Sequence, residues 1–218
     1  MRKLLKALFG LAVVVALVAI VGRLFFFELG KTQSYSMVPT LVAGDVFVVA
    51  NGGIVFGDDH PCEDVGMGDV AVFHSPADET ELVVLRVVGV PGDEISLWHN
   101  HLKINDEVIQ HSSLDPIFYV DRTSGEELEY AVRRAEELIG GRLFHVALMD
   151  RAGGKAASAV VVPEGHFFVA GDNRNMAIDS RNFGPIPIDD CVGKAVLLLW
   201  PGPDSGDLIR TKRILDVL

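Results

Sequence analysis

Leu82-Val83-Val84-Leu85-Arg86-Val87-Val88-Gly89-Val90-Pro91-Gly92-Asp93 is the stretch on which the fold turns. Leu82 to Val90 is rich in β-branched residues and carries one charge, Arg86, which is the length and composition of a strand. Pro91-Gly92-Asp93 then ends it as a turn. Working outward, Val46-Phe47-Val48-Val49, Val70-Ala71-Val72-Phe73, His166 to Ala170 and Ala195 to Trp200 repeat the pattern, and Asn105-Asp106 reads as a second turn. Beyond the first 27 residues, Glu126 to Ile139 is the one segment that reads as helical. Leu128, Val132, Ala135 and Leu138 fall on one side of it and Glu and Arg on another. The expectation is a mainly β fold.

The chain has 218 residues and a net charge of −11, with 49% hydrophobic and 22% charged residues, which excludes a disordered polymer. At this length one core plus an insertion is expected. An acidic chain without a basic face argues against nucleic acid as a partner. Two cysteines, Cys62 and Cys191, are too few for a disulfide framework, and sequence leaves open whether they meet. No Cys/His cluster has metal-ligand spacing, so no metal or cofactor is expected.

The first 27 residues stand apart. Arg2, Lys3 and Lys6 lead an apolar run from Ala7 to Gly22, and Leu24-Phe25-Phe26-Phe27 resumes it after Arg23. Leu4 to Phe27 is 24 residues, enough to cross a hydrocarbon core of roughly 30 Å. A removable leader is the competing reading. The run is long for one, however, and no small-x-small cleavage site follows Phe27. The expectation is therefore an uncleaved transmembrane helix over 7–27 in the cytoplasmic membrane. Residues 1–6 would be held inside by their charge and everything later would lie outside the cytoplasm. The acidic balance belongs to that exported part.

Four blocks follow in order: Ser34-Tyr35-Ser36-Met37-Val38-Pro39-Thr40-Leu41 with Gly44-Asp45; Gly68-Asp69-Val70; Arg86 to Asp93; and Gly171-Asp172-Asn173-Arg174 running on to Asp179-Ser180-Arg181-Asn182-Phe183-Gly184. Behind an N-terminal anchor, this set resembles the type I signal peptidases (leader peptidases) of bacteria, from about Gln33 to Arg213. The resemblance implies a serine endopeptidase that removes leader peptides from exported proteins. Its fold would be a signal-peptidase-like β core over 28–93 and 163–218, with 94–162 as an inserted, variable β-rich region. Preproteins, membrane lipid and the secretion machinery are the implied partners.

A serine hydroxyl is no nucleophile until something removes its proton. By the resemblance Ser36 attacks the scissile carbonyl, while the Ser34 hydroxyl and the Ser36 N–H stabilise the oxyanion, donors worth about 10²–10³ each in rate. Met37, Leu41, Val83 and Val84 would line a groove that reads small side chains; plain core positions are the alternative for the two valines. Asp172, Asn173 and Arg174 look like a loop beside the site. Asp179 and Arg181 match a supporting charged pair. Ser36 comes only nine positions after Phe27, which keeps the site near the bilayer.

The pattern breaks at Leu85. Bacterial members place a lysine there, kept neutral by burial to take the serine proton. Leucine cannot accept one. Ala177 likewise stands where the family commonly has a serine that orients the lysine. Either activity is weak or lost, or another group has become the base. His74 is the least unsuited candidate, while Lys103, Lys194 and His166 read as ordinary surface or lining positions. Two rivals remain: a non-catalytic regulator that binds leader peptides, and a specialised processing peptidase.

Overall fold

The computed structural model describes residues 6, 8–15, 17, 27–51, 61–98, 101–122, 126–149, 157–202 and 217–218. Its strands are β1 (Phe27–Lys31), β2 (Val46–Ala50), β3 (Val70–Ser75), β4 (Asp78–Gly89), β5 (Glu94–Trp98), β6 (His101–Ile104), β7 (Glu107–Val108), β8 (Ser112–Asp121), β9 (Leu128–Ile139), β10 (Arg142–Leu148), β11 (Ala157–Val161), β12 (His166–Ala170), β13 (Ile186–Pro187) and β14 (Cys191–Trp200). They build a seven-stranded sheet in the order β1-β2-β14-β3-β4-β12-β13, a three-stranded sheet β10-β9-β8 and a four-stranded sheet β11-β5-β6-β7. The β-branched runs picked out above all lie in strands of the large sheet.

Alternation along β3 sorts the core of that sheet into two faces. Val70 and Val72 point to a cluster with Met37, Leu41, Phe47, Val49, Ala195 and Leu198. Ala71 and Phe73 point to the other, with Cys62, Val65, Leu85, Val87, Phe167, Val169, Ile186 and Cys191. Within the second cluster Cys62 and Cys191 are joined as a disulfide across 129 residues of sequence. The question that sequence left open is thereby answered by β14 passing beside the 61–64 turn.

Glu126 to Ile139 is not a helix. Leu128 to Ile139 is β9, paired on one edge with β8 and on the other with β10. The proposed apolar helix face does not exist, because Leu128 and Leu138 are exposed. Gly140 and Gly141 explain the outcome. Both take positive φ, +59° and +75°, and close a two-residue hairpin in which Ile139 faces Arg142. Glycine pairs favour this turn because its backbone matches strand twist.

The expected 7–27 helix is met in part. Residues 8–15 and 17 are helical, while 1–5, 7, 16 and 18–26 lie outside the described residues. Phe27 is a correction: it opens β1, opposite Ala50, instead of ending a helix. Among the described residues no helix is long and apolar enough to cross a membrane.

Candidate active site

The serine loop is built by the turn between β1 and β2. Thr32 and Gly44 close its base, with Thr32 N–H donating to Asp45 O at 3.1 Å and Gly44 N–H to Thr32 O at 2.8 Å. Buried Asp45 accepts from the Val42 N–H at 2.8 Å and from the Gly202 N–H at 2.6 Å. Met37, Val38 and Leu41 sink into the core beneath and anchor the loop, which leaves Ser34 exposed and Ser36 half-exposed above it. The Tyr35 ring turns the other way. It stacks on Tyr119 at 5.5 Å, which stacks on Tyr130 at 5.3 Å, so the loop is tied to the three-stranded sheet. Burial pushes the Tyr119 hydroxyl above its ordinary pKa.

Ser34 Oγ and Ser36 Oγ lie 2.8 Å apart, and the Ser36 N–H donates to Ser34 Oγ at 3.1 Å. The two serines expected to act together do meet. Among the described residues, Ser34 is the one side chain that hydrogen-bonds the Ser36 hydroxyl. Leu85 is 1% exposed, on β4 opposite Ala71, inside the apolar cluster that holds the disulfide. It offers no proton acceptor.

Next to Leu85, Arg86 faces the opposite side of the sheet. Its Nε and Nη2 reach the two oxygens of Asp172 at 2.8 and 2.6 Å, its Nη1 donates to Gly68 O at 2.8 Å, and its guanidinium lies 3.9 Å over the Phe144 ring. Thr40 Oγ1 donates to the same Asp172 carboxylate at 2.5 Å. Such bidentate, charge-assisted bonds fix direction as well as distance. Gly171 brings the following loop against the serine: a Cβ there would stand 2.3 Å from Ala177 Cβ and 2.5 Å from Ser36 O. Asn173 N–H then donates to Ser36 O at 2.9 Å.

Asp179 is fully buried. It accepts from the Gly171 N–H at 2.8 Å and from Arg181 Nε at 2.8 Å, and it caps the one-turn helix Ser180–Phe183. Arg181 Nη1 donates to Arg174 O at 2.6 Å. The pair thus ties both ends of the 171–174 loop. Val83 and Val84 are half-buried and point to opposite clusters. β4 is paired with β12 at Arg86, Val87 and Gly89, whereas no described strand pairs with that edge from Val83 to Leu85. Met37 and Leu41 are 2% and 0% exposed.

The substitute bases lie elsewhere or are engaged. His74 is exposed, with Nδ1 on Glu79 O at 2.8 Å. Lys103 pairs with Asp106, Lys194 pairs with Asp69 at 2.8 Å, and His166 meets Glu164 O at 3.0 Å. Sequence reasoning missed Glu137, a buried carboxylate held by Arg174 and His111. In the strand period it shares a face with Ala135 and Ile139, a signal that the helical reading of this segment concealed.

The family described as signal peptidase, peptidase S26, matches residues 3–200. The chain is 32% identical to signal peptidase I of Bacillus caldolyticus, over 82% of each chain. It is 30% identical to signal peptidase IB of Staphylococcus aureus, over 92% of this chain and 91% of that one. The crystal structure of a signal peptidase I from Enterococcus faecalis is similar at 25% identity and a TM-score of 0.34, covering 59% of this chain and 94% of that one.

Proposed function

The chain belongs to the signal peptidase family, peptidase S26, and from that premise we propose that it is a membrane-anchored homologue that receives the leader peptides of exported proteins at the outer face of the cytoplasmic membrane and cleaves them weakly or not at all. One observation carries this reading: the Ser36 hydroxyl is presented with Ser34 at 2.8 Å as its one described side-chain partner, while Leu85, the position that the resemblance gives to the base, is a buried hydrocarbon. In this reading Ser36 is the nucleophile and Ser34 and the Ser36 N–H receive the oxyanion. The open edge of β4 at Val83 and Val84, above Met37 and Leu41, takes the extended leader as an added strand. Asp179 and Arg181 support the loop behind the serine. Residues 7–26 supply the anchor by their composition, and the Cys62–Cys191 bridge suits an oxidising compartment. Loss of a general base costs about 10²–10⁴ in rate, with a remainder left to the oxyanion donors.

The test is cleavage of a preprotein by the purified full chain in detergent, beside Ser36→Ala. Slow cleavage abolished by Ser36→Ala supports the reading. An ordinary rate abolished by Ser36→Ala would mean that another base operates. Leu85 also favours a second reading, a leader-peptide-binding regulator. Peptide capture without turnover, unchanged in Ser36→Ala, identifies it.

A further inference from the structure

Glu137 and Arg174 form a buried ion pair that nothing in the serine chemistry requires. Glu137, on β9, is 1% exposed and Arg174 is 6% exposed. Arg174 Nε donates to Glu137 Oε1 at 3.2 Å, and Nη2 meets Oε2. From the other side His111 Nε2 reaches Oε1 at 2.8 Å. The His111 ring is itself stacked 4.1 Å from His101, whose Nδ1 meets Ile109 O at 3.0 Å. Burial alone would raise the Glu137 carboxyl; the guanidinium and the imidazole outweigh it and hold it down at about 2.

The place of this pair gives it consequence. The Ala147 N–H donates to Asp172 O at 2.8 Å, the Arg174 N–H to Ala147 O at 3.0 Å, and the Asn173 N–H to Ser36 O at 2.9 Å. The Asn173 amide adds bonds to Tyr35 O at 3.1 Å and to the Tyr119 hydroxyl at 2.9 Å. Residues 172–174 are thus a rung between β10 and the serine loop. Arg86 grips the rung by Asp172, and Glu137 grips it by Arg174. Removing one partner of a buried pair leaves an uncompensated charge, which moves to find water. Here the charge that would move is attached to the residue after Asn173.

We propose that Glu137 is a positioning residue for Ser36: held by His111, it pins Arg174 and so keeps Asn173 bonded to the Ser36 carbonyl. The middle strand of the β8–β10 sheet thereby takes part in the site. This rests on Ser36 being the reactive serine, and two separate readouts keep the two ideas apart. The first is site-resolved amide exchange in the full chain in detergent, comparing the Asn173 N–H with the Val87 N–H, which donates to Asp69 O at 2.8 Å on β4. Glu137→Gln is expected to speed exchange at Asn173 by about tenfold or more and leave Val87 unchanged, the pattern of a local opening. His111→Gln, a milder change that retains a donor for Glu137, is expected to act in the same direction by about threefold. The second readout is preprotein cleavage in a Leu85→Lys/Ala177→Ser background. There Glu137→Gln should lower kcat by about 10–100-fold with KM little changed, as misplacement of a reacting group does. Unchanged exchange at Asn173, or equal acceleration at Asn173 and Val87 in both variants, overturns the proposal. Should the background fail to cleave at all, the peptidase reading falls and the exchange comparison still decides the role of Glu137.

Discussion

On the function proposed above, Leu85→Lys supplies the amine that the site lacks, and the surroundings set what it will do. Leu85 is 1% exposed, opposite Ala71 and among Phe73, Val87, Phe167, Val169 and Ile186. Burial of this kind moves a lysine down by up to about 3–5 units from its ordinary value near 10.4, toward roughly 5.5–7.5. The amine is then neutral at pH 8 and, on the proposed reading, is the group that accepts the Ser36 proton. Holding it neutral costs about 1.4 kcal/mol per unit, roughly 3 kcal/mol at pH 8 and nearer 5 kcal/mol at pH 7. That is within the ordinary 5–15 kcal/mol stability of a domain of this kind, so the variant should fold. The sign follows from proton counting. Between the folded and unfolded values the unfolded chain binds the extra proton, so the penalty is full below the folded value and fades as pH rises past about 10.4. Cleavage should therefore rise with pH through the depressed value while stability rises too. Preprotein turnover in detergent should increase by about 10²–10⁴ over the unsubstituted chain. Adding Ala177→Ser should raise it again if, as the proposed reading has it, a hydroxyl at 177 orients the amine; Ala177 Cβ and Ser36 O both stand against Gly171. A folded Leu85→Lys chain no faster than its parent would refute this account of the missing base. Equal rates for the single and double variants would refute the role given to position 177.

Gly171→Ala should loosen the serine loop, since the new Cβ lands 2.3 Å from Ala177 Cβ and 2.5 Å from Ser36 O; a loss of about 1–3 kcal/mol in urea unfolding and weaker leader-peptide binding are expected. Replacing both Cys62 and Cys191 by Ala frees a 129-residue separation in the unfolded chain, worth up to about 5 kcal/mol by loop entropy and more commonly 2–4; an unfolding midpoint that does not move on reduction of the native chain would contradict it. Glu137, held at about 2 against an ordinary 4.5, contributes roughly 3 kcal/mol that is present above pH 4.5 and lost as pH falls toward 2. Stability measured against pH should show that acid slope in the native chain and lack it in Glu137→Gln.

Local chemistry was legible wherever it was written in consecutive residues. The runs read at 46–49, 70–73, 82–90, 166–170 and 195–200 fall in β2, β3, β4, β12 and β14, of which β4 starts earlier at Asp78 and ends at Gly89 and β14 starts earlier at Cys191; the Asn105-Asp106 turn, with φ of 49° and 70°, follows from residues that tolerate the left-handed region. β9 was misread because Glu-rich charge spacing imitates a helix, while its actual partners, β8 and β10, are remote pairings that no window of the segment contains. The glycine pair at 140–141 was the available local signal. Glu137 was concealed with it, since a buried carboxylate looks like any exposed one until its guanidinium is found 37 residues away.

By itself the order of residues established a mainly β chain, the serine pair at 34 and 36, membership of a leader-peptidase lineage and the hydrocarbon at position 85. These are matters of identity and short-range spacing, which survive without coordinates. The tertiary structure alone decided that Cys62 meets Cys191, that Arg86 grips Asp172, and that a rung of backbone from 172 to 174 joins the β8–β10 sheet to Ser36. Each of these contacts spans dozens of residues, and its energy depends on burial and direction, which exist only once the chain has closed on itself.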